Sequence, residues 1–176
     1  MGRKTFIALA GLVIVLIVGW LFFFSSPTAA PVPMPSPNGY NDIVKAGRLL
    51  VHTEPGYWEL DHEKLRAYVL PNAEALKLAR LGLSRPCRIP VEYTMAYFKS
   101  HGNEISQVAG LLPALSAERT LAEMEHRTND AAFVNLDMVR LGHESSRGGF
   151  LIDGLVGLAL EGSGHDGNHR MRFLRG

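Results

Sequence analysis

The chain has 176 residues, with 18 lysines and arginines against 17 aspartates and glutamates, so its formal net charge at pH 7 is +1. A balance this even argues against a nucleic-acid-binding protein, which normally concentrates basic residues on one face. The single cysteine, Cys87, excludes an internal disulfide and is expected to be a small buried apolar residue. An intermolecular disulfide and a reactive thiol are the alternatives for it.

The N-terminal part of the chain has the pattern of a membrane anchor. Residues 5–24 are an apolar run of twenty residues without a charged or amide side chain. At about 1.5 Å per residue such a helix is roughly 30 Å long, which matches the hydrocarbon core of a bilayer. Arg3 and Lys4 precede the run and the next basic residue is Lys45, so the positive-inside rule places the N-terminus in the cytoplasm and the rest on the outer, periplasm-like side. We therefore predict a single-pass transmembrane anchor over residues 1–24, with a cleaved signal peptide as the alternative.

A proline-rich segment follows the anchor. Residues 25–37 contain five prolines in thirteen positions. Proline fixes φ and removes a backbone donor, so the segment is expected to be an extended, polyproline-like linker of about 40 Å. Recognition of this segment by an aromatic groove of another protein is the alternative use.

From residue 38 onward the apolar residues recur at helical spacing, and no stretch alternates as a half-buried strand does. We therefore predict an all-α domain over residues 38–161, either a small irregular bundle or an array of helical hairpins. Roughly 120 residues are enough for one hydrophobic core.

Three helices are predicted in the first half of this domain. Asn38 or Asn41 can cap the first, and residues 54–58 form a turn before the second, which Asp61 can cap. Pro71 either lies in the first turn of a third helix or kinks a continuous one. The apolar positions of the three helices are Tyr40, Ile43, Val44, Leu49 and Leu50, then Leu65, Tyr68 and Val69, then Leu76, Leu78, Ala79, Leu81 and Leu83. The third set is broad enough to predict burial on more than one side.

The middle of the domain combines an extended segment with a long helix. Residues 85–93 cannot form a regular helix, because Pro86 and Pro90 lie four apart, and they are expected to cross the domain in extended conformation. Residues 105–124 predict a long helix with a bend at Pro113.

The last two predicted helices follow a capping signal at residues 128–130. The first of them carries Ala132, Phe133, Leu136, Met138, Val139 and Leu141 as its apolar set and is ended by residues 147–149, Arg-Gly-Gly. Residues 150–160 then predict an apolar helix that contains Asp153 and is too short to span a membrane. Residues 162–176 lack a helical stripe and are expected to form a disordered, glycine-rich tail.

Two blocks of this domain carry a resemblance. Residues 75–80 lead into 86–90, and residues 136–143 lead into 151–161. The chain resembles in these blocks a group of uncharacterised, membrane-anchored, all-helical proteins of planctomycete-type bacteria. The likeness covers roughly residues 38–161 and implies a fold and a cellular setting, without an activity or a site.

The end of the chain departs from that group, whose members usually continue with further helices. Here residues 162–176 look like a foreign or truncated tail, so the helix over residues 150–160 is expected to lack a packing partner. The helix that begins near Asn129 also resembles the second helix of a tetratricopeptide-type hairpin, although the Trp, Gly and Tyr positions and the period of about 34 residues are absent.

No motif has the spacing of a known catalytic or metal site, so we predict no catalytic, cofactor-binding or metal-binding residue and no cofactor. His143-Glu144 lacks the second histidine that a zinc-protease helix carries four residues on, because that position is Arg147. Residues 145–149 lack the frame of a nucleophile elbow. Other pairs considered as metal ligands have no third partner at a fitting spacing: His52 with Glu54, His62 with Glu63, and His165 with His169.

Two further features have competing interpretations. Asp153 lies in an apolar helix, so it is either exposed or paired, and Arg88, Arg119 and Arg140 are the candidate partners. Tyr57-Trp58 in the predicted turn either packs onto the helices or forms a docking surface.

The expected function is that of a membrane-tethered helical domain that contacts or scaffolds another protein outside the cytoplasm. One alternative is a truncated or degenerate product without an independent function. The other is an enzyme whose site assembles only in three dimensions.

Overall fold

The computed structural model describes residues 32–51 and 61–173, with side-chain surroundings through residue 163. The described residues from Met34 onward belong to one compact unit. The predicted anchor over residues 1–24 and the turn at 54–58 lie outside the described residues. In the described ranges, the helices are all too short or too polar to cross a bilayer.

Every regular element of the described residues is helical, which confirms the all-α prediction. The elements are α1 (Gly39–Arg48), α2 (His62–Val69), a 3-10 turn (Leu70–Asn72), α3 (Ala73–Leu83), α4 (Met95–Met124), α5 (Thr128–Ser146) and α6 (Leu151–Phe173). The long α4 is the central element, because α1, α2, α3, α5 and α6 all pack against it.

The starts of α1, α2 and α4 are fixed by capping side chains. Asn38 caps α1 by accepting a hydrogen bond from the Tyr40 backbone N–H at 3.1 Å. Of the two predicted caps, Asn38 and Asn41, the structure therefore selects Asn38. Asp61 caps α2 as predicted, through the Lys64 N–H at 2.9 Å. Thr94 caps α4, which therefore begins ten residues before the predicted start at residue 105. Residues 99–104 are polar or glycine and interrupt the apolar pattern that would reveal this early part of the helix.

Asn38 also joins α1 to the extended segment. Its side-chain amide donates to the Arg88 carbonyl at 2.7 Å and its Oδ1 accepts from the Arg88 N–H at 3.1 Å. The Gly39 N–H donates to the Pro86 carbonyl at 3.0 Å. Residues 85–93 contain no helix, as predicted, and their Cys87 and Ile89 are buried in the core.

The ends of the later helices differ in part from the sequence prediction. The α5 helix begins at Thr128, but its N-cap is Arg127 and no side chain caps it. Pro71 lies in a 3-10 turn between α2 and α3. It is therefore neither in the first turn of α3 nor inside one continuous α-helix. The α6 helix continues through Phe173, whereas the prediction ended it near residue 160 and made the following residues a disordered tail.

Two pairs of helices cross at glycines. At the crossing of α1 and α3, a Cβ added to Gly82 would lie 2.7 Å from the Gly39 carbonyl oxygen. At the crossing of α5 and α6, a Cβ added to Gly157 would lie 2.6 Å from the Gly142 carbonyl oxygen. Both distances are too short for a side chain, so the backbones touch and any larger residue must separate them.

The main core surrounds α4, and a second, smaller cluster of Leu65, Ala117 and Leu121 lies between α2 and α4. The main core contains Ile43, Leu76, Ile89, Leu111, Leu115, Met138 and Leu141 among its most buried side chains. Several residues of the predicted stripes are exposed instead: Leu49, Leu81, Phe133 and Leu136. Arg80 closes the polar edge of this core, because its guanidinium lies 2.5 Å from Glu118 on α4 and 2.7 Å from Asp137 on α5.

Candidate functional site

A buried polar pair joins α4 to α6. His101 is 2% exposed and Asp153 is 3% exposed, and His101 Nε2 lies 2.8 Å from Asp153 Oδ1. The other carboxylate oxygen accepts from the Phe150 backbone N–H at 2.6 Å. Asp153 is therefore paired, as expected of a carboxylate in an apolar helix, because an unpaired buried charge is costly.

The identity of this partner corrects the sequence prediction, which offered Arg88, Arg119 and Arg140. Arg119 instead lies along α4 with its Nη1 3.4 Å from Asn135 and its Nε 3.7 Å from Glu123. The fold brings the second turn of α4 against the first turn of α6 and so places His101 beside Asp153.

The second ring nitrogen of His101 also has polar neighbours. Nδ1 lies 3.2 Å from Tyr97 Oη and 3.3 Å from Glu104 Oε2. Tyr40 on α1 donates from its hydroxyl to the same Glu104 oxygen at 3.4 Å. Both nitrogens of the imidazole are thus engaged by groups from α4 and α6, and Tyr40 of α1 contacts Glu104, one of those groups.

The two phenols of this cluster are held in their protonated form. Burial, with the Glu104 and Asp153 carboxylates nearby, raises the pKa of Tyr97 to about 12. Burial and Glu104 raise the pKa of Tyr40 further above its usual range. A phenol that keeps its proton can donate a hydrogen bond but cannot act as a base at neutral pH.

The space beside the pair is too small for a substrate. A cavity of about 10 Å³ is lined by Tyr40, Ile105, Val108, Ser145, Asp153 and Val156. This volume is near the lower limit for a single water molecule. The pair therefore has the geometry of a structural link between helices, with both partners shielded from solvent.

An aromatic cluster covers His101 on its outer side. We use this name for Tyr93, Tyr97, Phe98 and Phe150. The Phe150 ring stacks on Phe98 with 4.9 Å between centroids and meets Tyr93 edge-on at 5.8 Å. The Tyr97 ring stacks on His101 at 4.9 Å. Tyr93 is nevertheless 86% exposed and Phe98 is 48% exposed, so the cluster presents aromatic surface to solvent.

The outer face of α6 continues from this cluster. The outer face of α6 is the side formed by six exposed residues: Leu151, Ile152, Leu155, Leu158, Ala159 and Gly162. The exposed fractions of the four large side chains are 82%, 50%, 55% and 66% in chain order. Their spacing of three and four residues puts them on one side of the helix. From residue 151 to 160 the only ionisable side chain is Asp153, and it points inward to His101.

The residues singled out by sequence motifs do not form a site. His143 lies 3.3 Å from Glu144, which also pairs with Arg147 at 3.2 Å. His62 lies 3.4 Å from Glu63 and 3.2 Å from Glu125, the C-cap residue of α4. Within residues 32–51 and 61–163, no three histidines, cysteines or acidic residues come close enough to hold a metal ion.

Of the remaining candidates from the sequence, Cys87 is buried and the others lie where the structure does not describe the side chains. Tyr57-Trp58 and the pair of His52 with Glu54 lie outside the described residues, and the side chains of His165 and His169 lie beyond the last one described. Cys87 is 2% exposed, as predicted, and burial raises the pKa of its thiol to about 12. Such a thiol stays protonated and shielded, which argues against the reactive alternative.

Comparison of the chain with protein-family models, with curated proteins and with solved structures finds no match in any of the three. The resemblance to membrane-anchored helical proteins therefore stays a prediction.

Proposed function

We propose that the protein is a membrane-tethered helical domain that binds another polypeptide chain outside the cytoplasm, through the outer face of α6. The occupant of this face is an apolar side of a helix. The observation that carries the proposal is the absence of charge over the exposed side of α6 from residue 151 to 162.

A helix that is apolar on all sides is normally buried on all sides. One side of α6 is covered by α5 and α4, where Asp153, Gly157 and Leu160 are buried. On the other side, the exposed fractions of Leu151, Ile152, Leu155 and Leu158 together amount to between two and three whole side chains. Covering them would contribute on the order of 4–8 kcal/mol before the cost of association, which is enough to drive specific binding.

The surface is rigidly positioned, which favours a binding role over an accidental exposure. The close crossing of Gly142 and Gly157 fixes α6 against α5, and the buried pair of His101 and Asp153 fixes its first turn against α4. A preorganised face loses little conformational entropy when it binds. The aromatic cluster at its end supplies the residue types that dominate interface energetics.

The chemistry of the face favours a helix as the occupant. Leu151, Leu155 and Leu158 are spaced i, i+4 and i+7, which is the pattern of anchors in helix-to-helix recognition. The predicted anchor over residues 5–24 and the basic residues before it support a location on the outer side of the membrane.

The proposal is tested by labelling single cysteines in the full-length chain in its native membrane. Leu155→Cys reports on the outer face of α6, and Lys77→Cys on the exposed side of α3 is the matched control. We expect a membrane-impermeant maleimide to label Lys77→Cys in intact cells and to label Leu155→Cys at least tenfold more slowly. Cys87 is buried and gives the background in the wild-type chain.

Two outcomes would overturn the proposal. Equal labelling of the two cysteines would show that the outer face of α6 is uncovered. A nitroxide attached to Leu155→Cys that collides with oxygen but not with a water-soluble nickel chelate would show that the face lies in lipid instead of against protein.

A further inference from the structure

We infer that the chain covering the outer face of α6 is a second copy of this protein, with the two α6 helices antiparallel across a two-fold axis near Gly157. The inference rests on the proposed function and names its partner. It is carried by the order of large and small side chains along the face.

The face contains a seam with heptad spacing. Ile152, Leu155, Ala159 and Gly162 follow one another at intervals of three, four and three residues, and all four are exposed. This is the spacing by which two helices pack side chains of one into gaps of the other. The large residues stand at the N-terminal end of the seam and the small ones at its C-terminal end.

An antiparallel pair matches these sizes. With the axis near Gly157, Ile152 of one copy lies opposite Gly162 of the second copy, and Leu155 lies opposite Ala159 of the second copy. Each copy supplies bulk where the other has a gap, which produces close packing along the whole seam. A parallel pair in register would place Ile152 against itself and leave a void between the paired Ala159 and Gly162 residues.

The charges of the face permit this self-association. A two-fold contact brings a surface against its own copy, so any charge at its centre would meet a like charge nearby. The outer face has none, because Asp153 is buried against His101 and Glu161 is turned toward Gly142 of α5. A partner of different sequence would instead be selected by a complementary charge on this face.

The exposed area also fits a dimer of modest affinity. The outer face together with Tyr93, Met95 and Phe98 offers on the order of 450–800 Å² of apolar surface per copy. A standard specific interface buries about 800 Å² on each partner. Leu151 follows Phe150 directly, so the outer face and the aromatic cluster form one continuous surface at this end of the helix.

Disulfide crosslinking in the native membrane tests the arrangement. Two differently tagged full-length chains are co-expressed, one with Leu155→Cys and the other with Ala159→Cys, and oxidised. We expect this mixed pair to crosslink at least fivefold more than two Leu155→Cys copies, whose cysteines are about 6 Å out of register along the antiparallel axis. The wild-type chain, with Cys87 alone, gives the background.

The outcomes separate this inference from the proposed function. Preferred crosslinking of Leu155→Cys with itself would overturn the antiparallel arrangement. If no crosslink forms but Leu155→Cys remains protected from maleimide, the inference of a second copy is wrong and the proposed function stands. If no crosslink forms and maleimide labels Leu155→Cys freely, both the inference and the proposed function are wrong.

A charge exchange provides a second readout at exposed positions, where folding is not at risk. Leu155→Asp in all copies is expected to reduce co-isolation of the two tagged chains at least tenfold. Mixing Leu155→Asp copies with Ala159→Lys copies is expected to restore most of it, because the two new charges lie opposite each other. Failure of this rescue would contradict the antiparallel pairing.

Discussion

The helices α1 and α6 are packed in similar ways on their inner sides and differ on their outer sides. Each crosses a neighbour at a pair of glycines, and each is joined to another part of the domain by a carboxylate in its first turn. The outer side of α1 carries Asn41, Lys45 and Arg48. The outer side of α6, through residue 162, carries no charge.

The two carboxylate links differ in their burial. Asp42 of α1 pairs with Arg85 at 2.5 Å, and the two side chains are 21% and 33% exposed. Asp153 of α6 pairs with His101 at 2.8 Å, and the two side chains are 2% and 3% exposed. We conclude that α1 is complete as a surface helix, whereas α6 up to residue 162 has the features of an interior helix with one side left open.

Replacing His101 is expected to have the largest effect on stability. His101→Ala leaves the Asp153 carboxylate buried without its partner and should lower the free energy of unfolding by about 3–5 kcal/mol. Urea unfolding of the full-length chain in detergent, followed by helical circular dichroism, measures this. Asn103→Ala, at an exposed position of the same helix, is the matched control and should change little.

The double variant tests whether the cost comes from the unpaired charge. His101→Ala combined with Asp153→Ala should cost clearly less than the sum of the two single variants, because no buried charge remains. Additive losses would contradict the pairing and would mean that α6 is held by packing alone.

The glycine crossings are expected to give the next largest effects and to behave alike. Gly157→Ala places a Cβ 2.6 Å from the Gly142 carbonyl oxygen, and Gly82→Ala places one 2.7 Å from the Gly39 carbonyl oxygen. Each should lower the free energy of unfolding by about 1–3 kcal/mol, because the helices must move apart. The same urea titration measures both.

Gly154→Ala is the control for this comparison, since nothing lies within 4 Å of a Cβ at Gly154. It should raise stability by about 0.5–1 kcal/mol, the difference in helix propensity between the two residues. If Gly157→Ala were equally harmless, α6 would not be fixed closely against α5.

The local structure of this chain could be predicted from sequence wherever the signal is local. The all-helical class, the N-cap role of Asp61, the extended segment at 85–93 and the break after α5 follow from neighbouring residues. The prediction misses the early start of α4, because polar residues and a glycine at 99–104 interrupt its apolar pattern, even though Thr94 caps the helix.

The buried pair could be predicted only in part. The need of Asp153 for a partner follows from its apolar surroundings, but the choice of His101 depends on how α4 and α6 cross. Tyr97 and Glu104 lie four residues before and three residues after His101, and this spacing on one helix is a signal that sequence reasoning could have used. The expectation that the helix over residues 150–160 lacks a packing partner holds for one side only, because α4 and α5 cover the side that carries Asp153, Gly157 and Leu160. Which side is covered cannot be read from the apolar pattern, since that pattern is the same for covered and exposed residues.

Breaking the pair of Asp42 with Arg85 is expected to lower the stability less than breaking the pair of Asp153 with His101. Asp42→Asn removes the charge that faces Arg85 and should lower the free energy of unfolding by about 0.5–1 kcal/mol, since both partners are partly solvated. The loss should diminish in high salt, whereas the loss caused by His101→Ala should not. Comparable losses for the two variants would contradict the difference in burial on which the comparison rests.

The effect that is smallest at neutral pH is a pH dependence from Cys87, which lies where α1 and α3 cross. Burial raises the pKa of this thiol to about 12 from its ordinary value of 9.0. Because the folded state holds the proton more tightly than the unfolded state, its contribution to stability is complete below pH 9 and is lost as the pH rises from 9 to 12. Cys87→Ala should therefore make the alkaline decline of the melting temperature less steep, relative to its own value at pH 7. An unchanged slope would mean that the thiol titrates in the folded domain as it does in the unfolded chain, and that the crossing of α1 and α3 does not shield it from solvent.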